Sequence, residues 1–361
     1  MISLVCMQMK SDKVFFDTGA HLVALPLSRS GLAPAYAARA GRDEPRVGDP
    51  DPVRRPAARI GIVFNRRAHR NLQQAGALPT ADQSLDWASP QTTAELSAAL
   101  ARFAAGKVDA IVVDGGDGTI RDVITVAAEH FPAGLPRLAV VPSGKTNALA
   151  FDLGIPRDWT LDDALATIAT GRVSRRAPIE ITRADGAAPM VRGFLFGAGA
   201  FVKATALAQG VHRLGAFRGL AVAMSIGAAI AQTMFAGSGN PWRQGERMHI
   251  DLQDGRTLEH RLYLMIASTL ERLPLGLKPF GHVRTGLKLL GVDAPPRRVL
   301  LTLPALLAGS EKDWLRRAGY HRGDVERLDV TLDGGFILDG EAYEGGALTI
   351  AKGTPLDFFV P

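Results

Sequence analysis

The stretch Ala110–Thr119 reads AIVVDGGDGT, and its order of features decides the fold of the residues around it. The apolar run Ala110–Val113 predicts a short buried strand, and the glycine-rich segment Gly115–Thr119 predicts a turn at its end. Beyond the turn, apolar residues recur at the spacing i, i+3, i+4, i+7 and i+8, which is typical of a helix with one buried face. They are Ile120, Val123, Ile124, Ala127 and Ala128. A strand, a turn and a helix in this order predict one unit of an α/β sheet.

The same alternation continues on both sides of this unit. Further apolar runs predict strands, and a threonine followed three residues later by an acidic residue predicts the capping box of a helix. The strands are predicted at Ile60–Phe64 and Leu138–Val141, a short helix up to Gly154, and capped helices after Thr92–Glu95 and Thr160–Asp163 that end near Gly106 and Gly171. Strands that alternate with helices favour a parallel sheet. Residues 58–177 are therefore predicted to form a doubly wound α/β domain.

The pattern changes after about Pro178, where strand-like runs follow one another. They are Ile179–Thr182, Met248–Leu252, Leu258–Ile266, Val299–Leu303 and Leu328–Leu332. Asp254-Gly255 lies between two of these runs and is a strong hairpin signal. One helical stretch is predicted near Leu214–Phe235. Residues 178–361 are thus predicted to form a β-rich, antiparallel, sandwich-like domain.

The composition limits the partners of the chain. Its net charge is +6 and its pI is near 9.7, which suits an anionic partner such as a nucleotide or an acidic membrane surface. Aromatic residues make up 6%, and none lies among the basic spots as a base-stacking surface would, so no nucleic-acid partner is expected. Cys6 is the only cysteine, so an intrachain disulfide is excluded and a reducing, cytoplasmic location is expected.

Two further segments stand apart from the predicted domains. Residues 1–57 are expected to be a poorly ordered N-terminal extension, because Asp43–Pro56 combines proline, glycine and charge without apolar periodicity. Gly219–Trp242 carries no charged residue and is long enough to span a bilayer. It is rich in alanine and glycine and contains several polar residues, so a buried or membrane-facing helix is favoured over a membrane span.

The residue types of the GGDGT turn fit a phosphate-binding loop. Glycines let backbone amides approach a phosphate, and the helix that follows adds the positive end of its dipole. Asp117 lies among these glycines at the carboxyl end of a strand, where it can reach bound Mg²⁺ or a substrate hydroxyl. The alternative is a tight Asp-Gly turn that binds no ligand.

Three motifs together resemble the diacylglycerol kinase catalytic-domain family. GGDGT is shared by diacylglycerol, sphingosine and ceramide kinases, and also by NAD kinases and phosphofructokinases. Pro142–Pro156 (PSGKTNALAFDLGIP) and Leu338–Glu341 (LDGE) are similar to two further segments of the lipid kinases. The resemblance implies an α/β ATP-binding domain, a β-rich lipid-binding domain and a final strand that returns towards the first domain.

The resemblance also implies the residues of the site. ATP and Mg²⁺ are the implied cofactors, with Asp117 as a metal ligand. Asp339 or Glu341 would take the proton of the acceptor hydroxyl, with Asp117 as the third catalytic residue; an acidic hairpin turn is the alternative for this pair. The implied nucleotide-binding residues are Asn65, Arg66, Gly115, Gly116, Asp117, Gly118, Thr119, Gly144, Lys145, Thr146 and Asn147.

The sequence departs from the family pattern at three places. The first glycine-rich loop is replaced by Asn65–His69 (NRRAH), where Arg66, Arg67 and the nearby Arg70 could hold phosphates by charge or simply form a solvated basic loop. Lys145 and Ala148 replace the Thr and Asp of the third motif, and Lys145 is either a phosphate ligand or a surface lysine. The family's Asp-Asp-Gly loop corresponds to Arg284-Thr285-Gly286, so a second, structural Mg²⁺ is not expected.

These observations predict an ATP-dependent lipid kinase with a diacylglycerol-type acceptor and a phosphatidic acid-type product. It is expected to act at an anionic membrane surface, as a peripheral protein on the inner face. Two alternatives stay open: a small-molecule kinase of the NAD kinase-like group, and a non-catalytic nucleotide- or lipid-binding relative.

Overall fold

The computed structural model describes residues 58–73, 84–186, 190–205, 241–252, 257–282 and 285–361. Three features predicted from the sequence lie outside these ranges. They are the extension at residues 1–57, the helical stretch Leu214–Phe235 and the turn Asp254-Gly255.

The first sheet contains six strands. In chain order they are β1 (Ile60–Phe64), β2 (Leu85–Ala88), β3 (Ala110–Gly115), β4 (Arg137–Pro142), β5 (Val173–Arg176) and β17 (Leu356–Phe359). Their spatial order is β2-β1-β3-β4-β17-β5. Strands β1 to β4 pair in parallel, and β17 runs parallel to β4 but antiparallel to β5. The carboxyl ends of β1, β3 and β4 therefore meet at one edge of the sheet.

Helices cover both faces of this sheet. They are α1 (Thr93–Ala105), α2 (Asp117–His130), α3 (Ala148–Asp152) and α4 (Leu161–Thr170). Thr92 caps α1 by accepting a hydrogen bond from the amide of Glu95, and Thr160 and Asp163 form a complete capping box at α4. Side chains alternate along each strand, so Ile111 packs with α1 and α2 while Val112 packs with α4. This half is a doubly wound α/β arrangement.

The described strands of the second half form one antiparallel sheet of eleven strands. They are β6 (Ile179–Arg183), β7 (Val191–Gly193), β8 (Leu195–Gly199), β9 (Glu246–Leu252), β10 (Thr257–Ser268), β11 (Leu287–Asp293), β12 (Tyr320–Val325), β13 (Arg327–Leu332), β14 (Phe336–Leu338), β15 (Glu341–Tyr343) and β16 (Gly346–Lys352). Nine of them follow the path β15-β14-β8-β10-β9-β13-β16-β6-β7, and β11 and β12 branch off at β10. The strands are linked into a single branched sheet, which has the antiparallel, β-rich character predicted for residues 178–361.

The predicted strand at Val299–Leu303 is wrong. These residues begin a helix, α6 (Val299–Leu307), which follows α5 (Pro241–Gln244) and precedes α7 (Asp313–Arg317). The helix buries Thr302 and Leu306, four residues apart, and leaves Leu300 and Leu301 exposed. A short apolar run has no period that separates a strand from a helix, and Pro304 directly after the run argued against a central strand.

The last strand returns to the first sheet. β17 lies between β4 and β5, and Asp357 accepts a hydrogen bond from Arg175 of β5 at 2.8 Å. Within the described residues, no helix is both long enough and apolar enough to cross a membrane.

Candidate functional site

The loops after β1, β3 and β4 touch one another at the carboxyl edge of the first sheet. The side-chain amide of Asn65 donates to the hydroxyl of Thr119 at 2.8 Å, which joins the first loop to the start of α2. Gly116 and Gly144 pack so closely that a Cβ atom on Gly144 would lie 2.5 Å from the Cα atom of Gly116. Two of the predicted nucleotide-binding loops therefore come together only because both residues lack side chains.

The buried carboxylate of Asp114 links these loops by hydrogen bonds. Asp114 lies on β3 directly before the glycines, and its Oδ1 accepts hydrogen bonds from Ser143 at 2.5 Å and Asn71 at 2.9 Å. Asn71 also donates to the carbonyl of Asn65 at 3.0 Å. Sequence reasoning did not single out Asp114, although a charged residue ending an apolar strand was a visible signal.

The loop after β4 is shaped by Asn147. Its backbone has φ 52°, and its side chain accepts from the amide of Gly144 at 2.9 Å and donates to the carbonyls of Pro142 and Gly144. These polar contacts of the Asn147 side chain all lie within the loop, so Asn147 sets the loop's shape. Lys145 and Thr146 are exposed on the same loop.

The basic residues of the first loop have different environments. Arg66 is exposed, and Arg67 is exposed with one hydrogen bond to Gln91. Arg70 instead donates to the carbonyls of Arg157 at 3.3 Å and Trp159 at 2.7 Å. The guanidinium of Arg70 is thus engaged by the backbone, and Arg70 lines neither of the two cavities described below.

A cavity of about 480 Å³ opens above the three loops. Its lining combines residues of the loops, the start of α2 and the LDGE hairpin. They include Asn65, Arg67, Gly116, Thr119, Lys145 and Glu341. A neighbouring cavity of about 320 Å³ shares Asn65, Arg67 and Thr119 and is also lined by Arg66. Five of the predicted site residues line neither of these two cavities: Gly115, Asp117, Thr146, Asn147 and Asp339.

Asp117 is the first residue of α2, and its carboxylate is turned towards the start of α3. Its Oδ1 accepts a hydrogen bond from the amide of Leu149 at 3.2 Å. Burial raises the pKa of Asp117, and the backbone amides of residues 147–149 oppose that rise. The glycine turn is shorter than the sequence predicted, because Gly115 still belongs to β3 and only Gly116 separates the strand from the helix.

Asp339 lies in a two-residue turn between β14 and β15. Asp339 and Gly340 have φ values of 46° and 85°, and Leu338 pairs with Glu341 across the turn, as in a hairpin of two residues with positive φ. The carboxylate of Asp339 accepts hydrogen bonds from the amides of Phe194 at 3.0 Å and Leu195 at 2.9 Å. Its side chain is thereby fixed between the hairpin and β8.

The environment of Asp339 raises its pKa to about 7. Burial is the main cause, and the negative charge of Asp117 adds to it. The amides of Leu195 and Phe194 and the charge of Arg121 act in the opposite direction. Asp117 and Asp339, which lie far apart in the sequence, are therefore close enough in space for the charge of Asp117 to affect the protonation of Asp339.

Arg121 connects the two motifs, and the sequence analysis missed it. It is 6% exposed, it donates to the carbonyl of Leu338 at 3.2 Å and to Asp122 at 2.7 Å, and it lies 3.9 Å from the carboxylate of Glu341. A cation–π contact with Tyr343 completes its surroundings at 5.9 Å. The signal was an arginine one turn after Asp117, on the face of α2 that carries apolar residues.

Glu341 differs from Asp339 although only Gly340 separates them. The turn directs Asp339 into the structure, whereas the Glu341 side chain is 62% exposed and lines the cavity. The two acids therefore have different environments: Glu341 is exposed at the cavity, whereas Asp339 is half-buried against β8 and does not line the cavity.

The described residues contain no group of three His, Cys, Asp or Glu side chains that could hold a metal ion. Mg²⁺ on nucleotides is commonly held by one or two carboxylates together with phosphates and water, so Asp117 alone fits such a role. Of the segment that replaces the family's Asp-Asp-Gly loop, residue 284 lies outside the described ranges.

Comparisons with known proteins agree on one group. Residues 62–181 match the model of the diacylglycerol kinase catalytic domain. A diacylglycerol kinase of Bacillus subtilis (strain 168) is 38% identical over 117 residues, which cover 32% of this chain and 35% of that protein. The match thus spans about a third of the length of this curated relative.

The fold also resembles solved structures of this group. A crystal structure of a diacylglycerol kinase from Bacillus anthracis str. Sterne superposes with a TM-score of 0.54 at 15% identity, covering 84% of this chain and 97% of that one. A second solved structure from the same organism gives a TM-score of 0.56 at 16% identity with the same coverage. At these identities the likeness concerns the fold alone.

Proposed function

Because residues 62–181 belong to the diacylglycerol kinase catalytic-domain family, we propose that this protein transfers the terminal phosphate of ATP to a lipid hydroxyl. The proposed acceptor is of the diacylglycerol type and the product of the phosphatidic acid type. The observation that carries the proposal is Asp339, which lies two residues before Glu341 of the cavity lining and is a half-buried acid whose pKa is raised to about 7 by burial and by the charge of Asp117. A general base works best when its pKa lies near the working pH.

The nucleotide is proposed to bind in the cavity above the three loops. Backbone amides at the start of α2 and the positive end of its dipole suit phosphate oxygens. Arg67 and Lys145 line the cavity and supply positive charge, and Arg66 lines the neighbouring cavity. The close packing of Gly116 on Gly144 keeps side chains out of the space where backbone and phosphate would meet. Mg²⁺, when bound, would spread the negative charge of the phosphates, with Asp117 as its protein ligand.

Asp339 is proposed to accept the proton of the acceptor hydroxyl. The oxygen of that hydroxyl forms a bond to the terminal phosphorus of ATP while the bond to the ADP oxygen breaks. The amides of Phe194 and Leu195 hold the carboxylate in place, so its orientation is set before the acceptor arrives. Glu341, exposed at the cavity, would orient the acceptor or a water molecule.

A second candidate function is a binding relative without catalysis. It is favoured by the first loop, where Arg66 and Arg67 stand in place of the glycine-rich sequence, and by Lys145 and Ala148 in the third motif. The retained acids Asp117, Asp339 and Glu341 favour catalysis, since a binding protein has no need of a half-buried carboxylate with a raised pKa.

The test is incubation of the full chain with radiolabelled ATP and a panel of acceptors. The panel contains diacylglycerol, sphingosine and ceramide in mixed micelles, NAD in solution, and micelles without acceptor. We expect label in phosphatidic acid, and no label with NAD. Label in phosphorylated NAD would favour the small-molecule kinase, and binding of ATP without any labelled product would favour the binding relative.

A further inference from the structure

A second cavity, of about 280 Å³, shares no lining residue with the cavity above the GGDGT turn. It is formed by the segment after β10, the start of β11 and the residues that follow α6. Lys288 of β11 lines it, and only 5% of this lysine is exposed.

Lys288 occupies a position where an apolar residue is expected. Side chains alternate along a strand, so Lys288 lies on the same face of β11 as Leu290 and Val292. Those two residues pack with Phe280 and Leu306 in a buried hydrophobic cluster. Burying an ammonium group costs free energy unless an anion or hydrogen-bond acceptor compensates it.

In the part of the chain that the structure describes, no hydrogen bond or ion pair to the Lys288 ammonium is found, and the ammonium is not fully enclosed, which agrees with its position in the cavity lining. Three carboxylates influence it electrostatically: Asp152, Glu271 and Asp324. The first two pair with Arg176, at 2.5 Å and 3.0 Å, and Asp324 accepts a backbone amide at 3.4 Å. Burial lowers the pKa of Lys288 more strongly than these carboxylates raise it. The three nearby carboxylates thus make their hydrogen bonds and ion pairs with groups other than Lys288.

The other walls of the cavity are mostly apolar. Leu270, Leu273, Leu277 and Phe280 line it, and the exposed Lys278 adds a second positive charge. Glu271 also lines the cavity, and its carboxylate is paired with Arg176 at 3.0 Å. We propose that this cavity binds an amphiphilic carboxylate, with the anionic group on the Lys288 ammonium and the apolar chain against the leucine and phenylalanine wall. An ion pair shielded from water and a buried chain would each contribute to such binding. The proposal does not depend on the kinase function.

The test is calorimetric titration of the full chain with decanoate, decanol and inorganic phosphate. We expect decanoate to bind, decanol to bind at least tenfold more weakly, and phosphate to give no measurable heat. Lys288→Met keeps an unbranched chain and removes the charge, and it should weaken decanoate at least tenfold. Lys312→Met, an exposed lysine that does not line the cavity, is the matched control and should bind decanoate normally.

Stability measurements separate a lost site from a misfolded protein. Replacing a buried, unpaired charge by an apolar side chain does not destabilise, so the unfolding midpoint of Lys288→Met should equal or exceed that of the unchanged protein. Leu277→Glu keeps the lysine but places a negative charge in the apolar wall, and it should also weaken decanoate. Equal decanoate binding by Lys288→Met, no binding by the unchanged protein, or equal binding of phosphate and decanoate would each overturn the proposal.

Discussion

At the scale of single residues, Asp339 and Arg121 explain how two distant motifs form one site. The Asp339-Gly340 turn places the carboxylate against the amides of Phe194 and Leu195. Arg121 reaches from α2 to the carbonyl of Leu338 in the same hairpin. Arg121 lies on α2 just after the GGDGT turn, and Asp339 lies in the LDGE hairpin. Direct contacts between these two elements therefore hold the acid and the glycine turn together.

Asp339→Asn should abolish lipid phosphorylation while leaving ATP affinity within about twofold. The amide keeps the shape of the side chain but cannot accept the hydroxyl proton, so kcat should fall on the order of 10²-fold or more. Steady-state kinetics and ATP titration measure the two effects. Asp333→Asn, in an exposed acidic turn before β14, is the matched control and should behave like the unchanged protein. Normal turnover by Asp339→Asn would remove this residue from the mechanism.

The rate should depend on pH through Asp339. The base must be ionised, and its pKa is about 7, so kcat/KM should rise with pH through neutrality and then level off. The positive charge of Arg121 lowers the pKa of Asp339, and Arg121→Met removes that charge. The rising limb should then move to higher pH, by on the order of one pH unit.

A control variant separates this effect from a general loss of charge. Arg102→Met removes an exposed arginine that pairs with Asp86, and its pH profile should match that of the unchanged protein. An unshifted limb in Arg121→Met would mean that the arginine is only a packing residue.

At the scale of elements, the contact between Gly116 and Gly144 sets the spacing of the two loops that are proposed to bind the nucleotide. Gly144→Ala would place a Cβ atom 2.5 Å from the Cα atom of Gly116. Because two carbon atoms cannot approach so closely, the backbone of one of the two loops would have to shift. Because small displacements of binding groups are costly, KM for ATP should rise by about tenfold. Gly106→Ala is the control, since Gly106 caps α1 with φ −73°, a conformation that alanine adopts. Unchanged ATP kinetics in Gly144→Ala would show that the two loops do not form the nucleotide site.

Helices and strands with a clear hydrophobic periodicity or a helix-capping residue could be predicted from the sequence. Elements whose conformation depends on tertiary packing could not. The strand before the glycine turn, the Thr92 cap of α1 and the capping box at Thr160 follow from local rules, and the structure has them. At α1 the box is incomplete, because Glu95 accepts from the amide of Gln91 and not from that of Thr92. The run Val299–Leu303 carried no period, so its helix was missed. Short strands such as β7 and β14 hold only three residues each, too few for any pattern to appear.

The sequence was sufficient to predict several residues of the candidate site, but not how all of its side chains are arranged in space. Family resemblance pointed to Asp117, Asp339 and Glu341, and adjacency of the loops followed from parallel strands. Arg121 and Lys288 were not foreseen, because a charged residue on an apolar face is identified only when its partners in space are known. The hydrogen bonds of Arg70 were not foreseen either, since its carbonyl partners lie far along the sequence.

At the scale of the whole molecule, the last strand returns to the first sheet. β17 lies between β4 and β5, and it comes after β14, β15 and β16, the first two of which form the hairpin with Asp339. The return of the chain therefore links the second sheet, which carries Asp339, to the first sheet, whose loops carry Asp117. The resemblance implied this return, but no local pattern in Leu356–Phe359 required it.

The net charge of the chain predicts a preference for membranes that contain anionic lipid. A lipid acceptor lies in a bilayer, and a chain of charge +6 should bind anionic vesicles more strongly than neutral ones. Sedimentation with vesicles containing acidic phospholipid measures this, and binding should fall as salt screens the attraction. Equal, salt-insensitive binding to neutral and acidic vesicles would contradict an electrostatic contribution.

The central claim is that Asp117 and Asp339 act as one catalytic unit. The most direct test compares kcat for lipid phosphorylation in Asp117→Asn, Asp339→Asn and the double variant. Residues that act together give non-additive losses, so each single variant should lose on the order of 10²-fold and the double variant little more than the worse single one. If the two losses multiply in the double variant, or if either single variant keeps its full rate, the two acids do not share a site of catalysis.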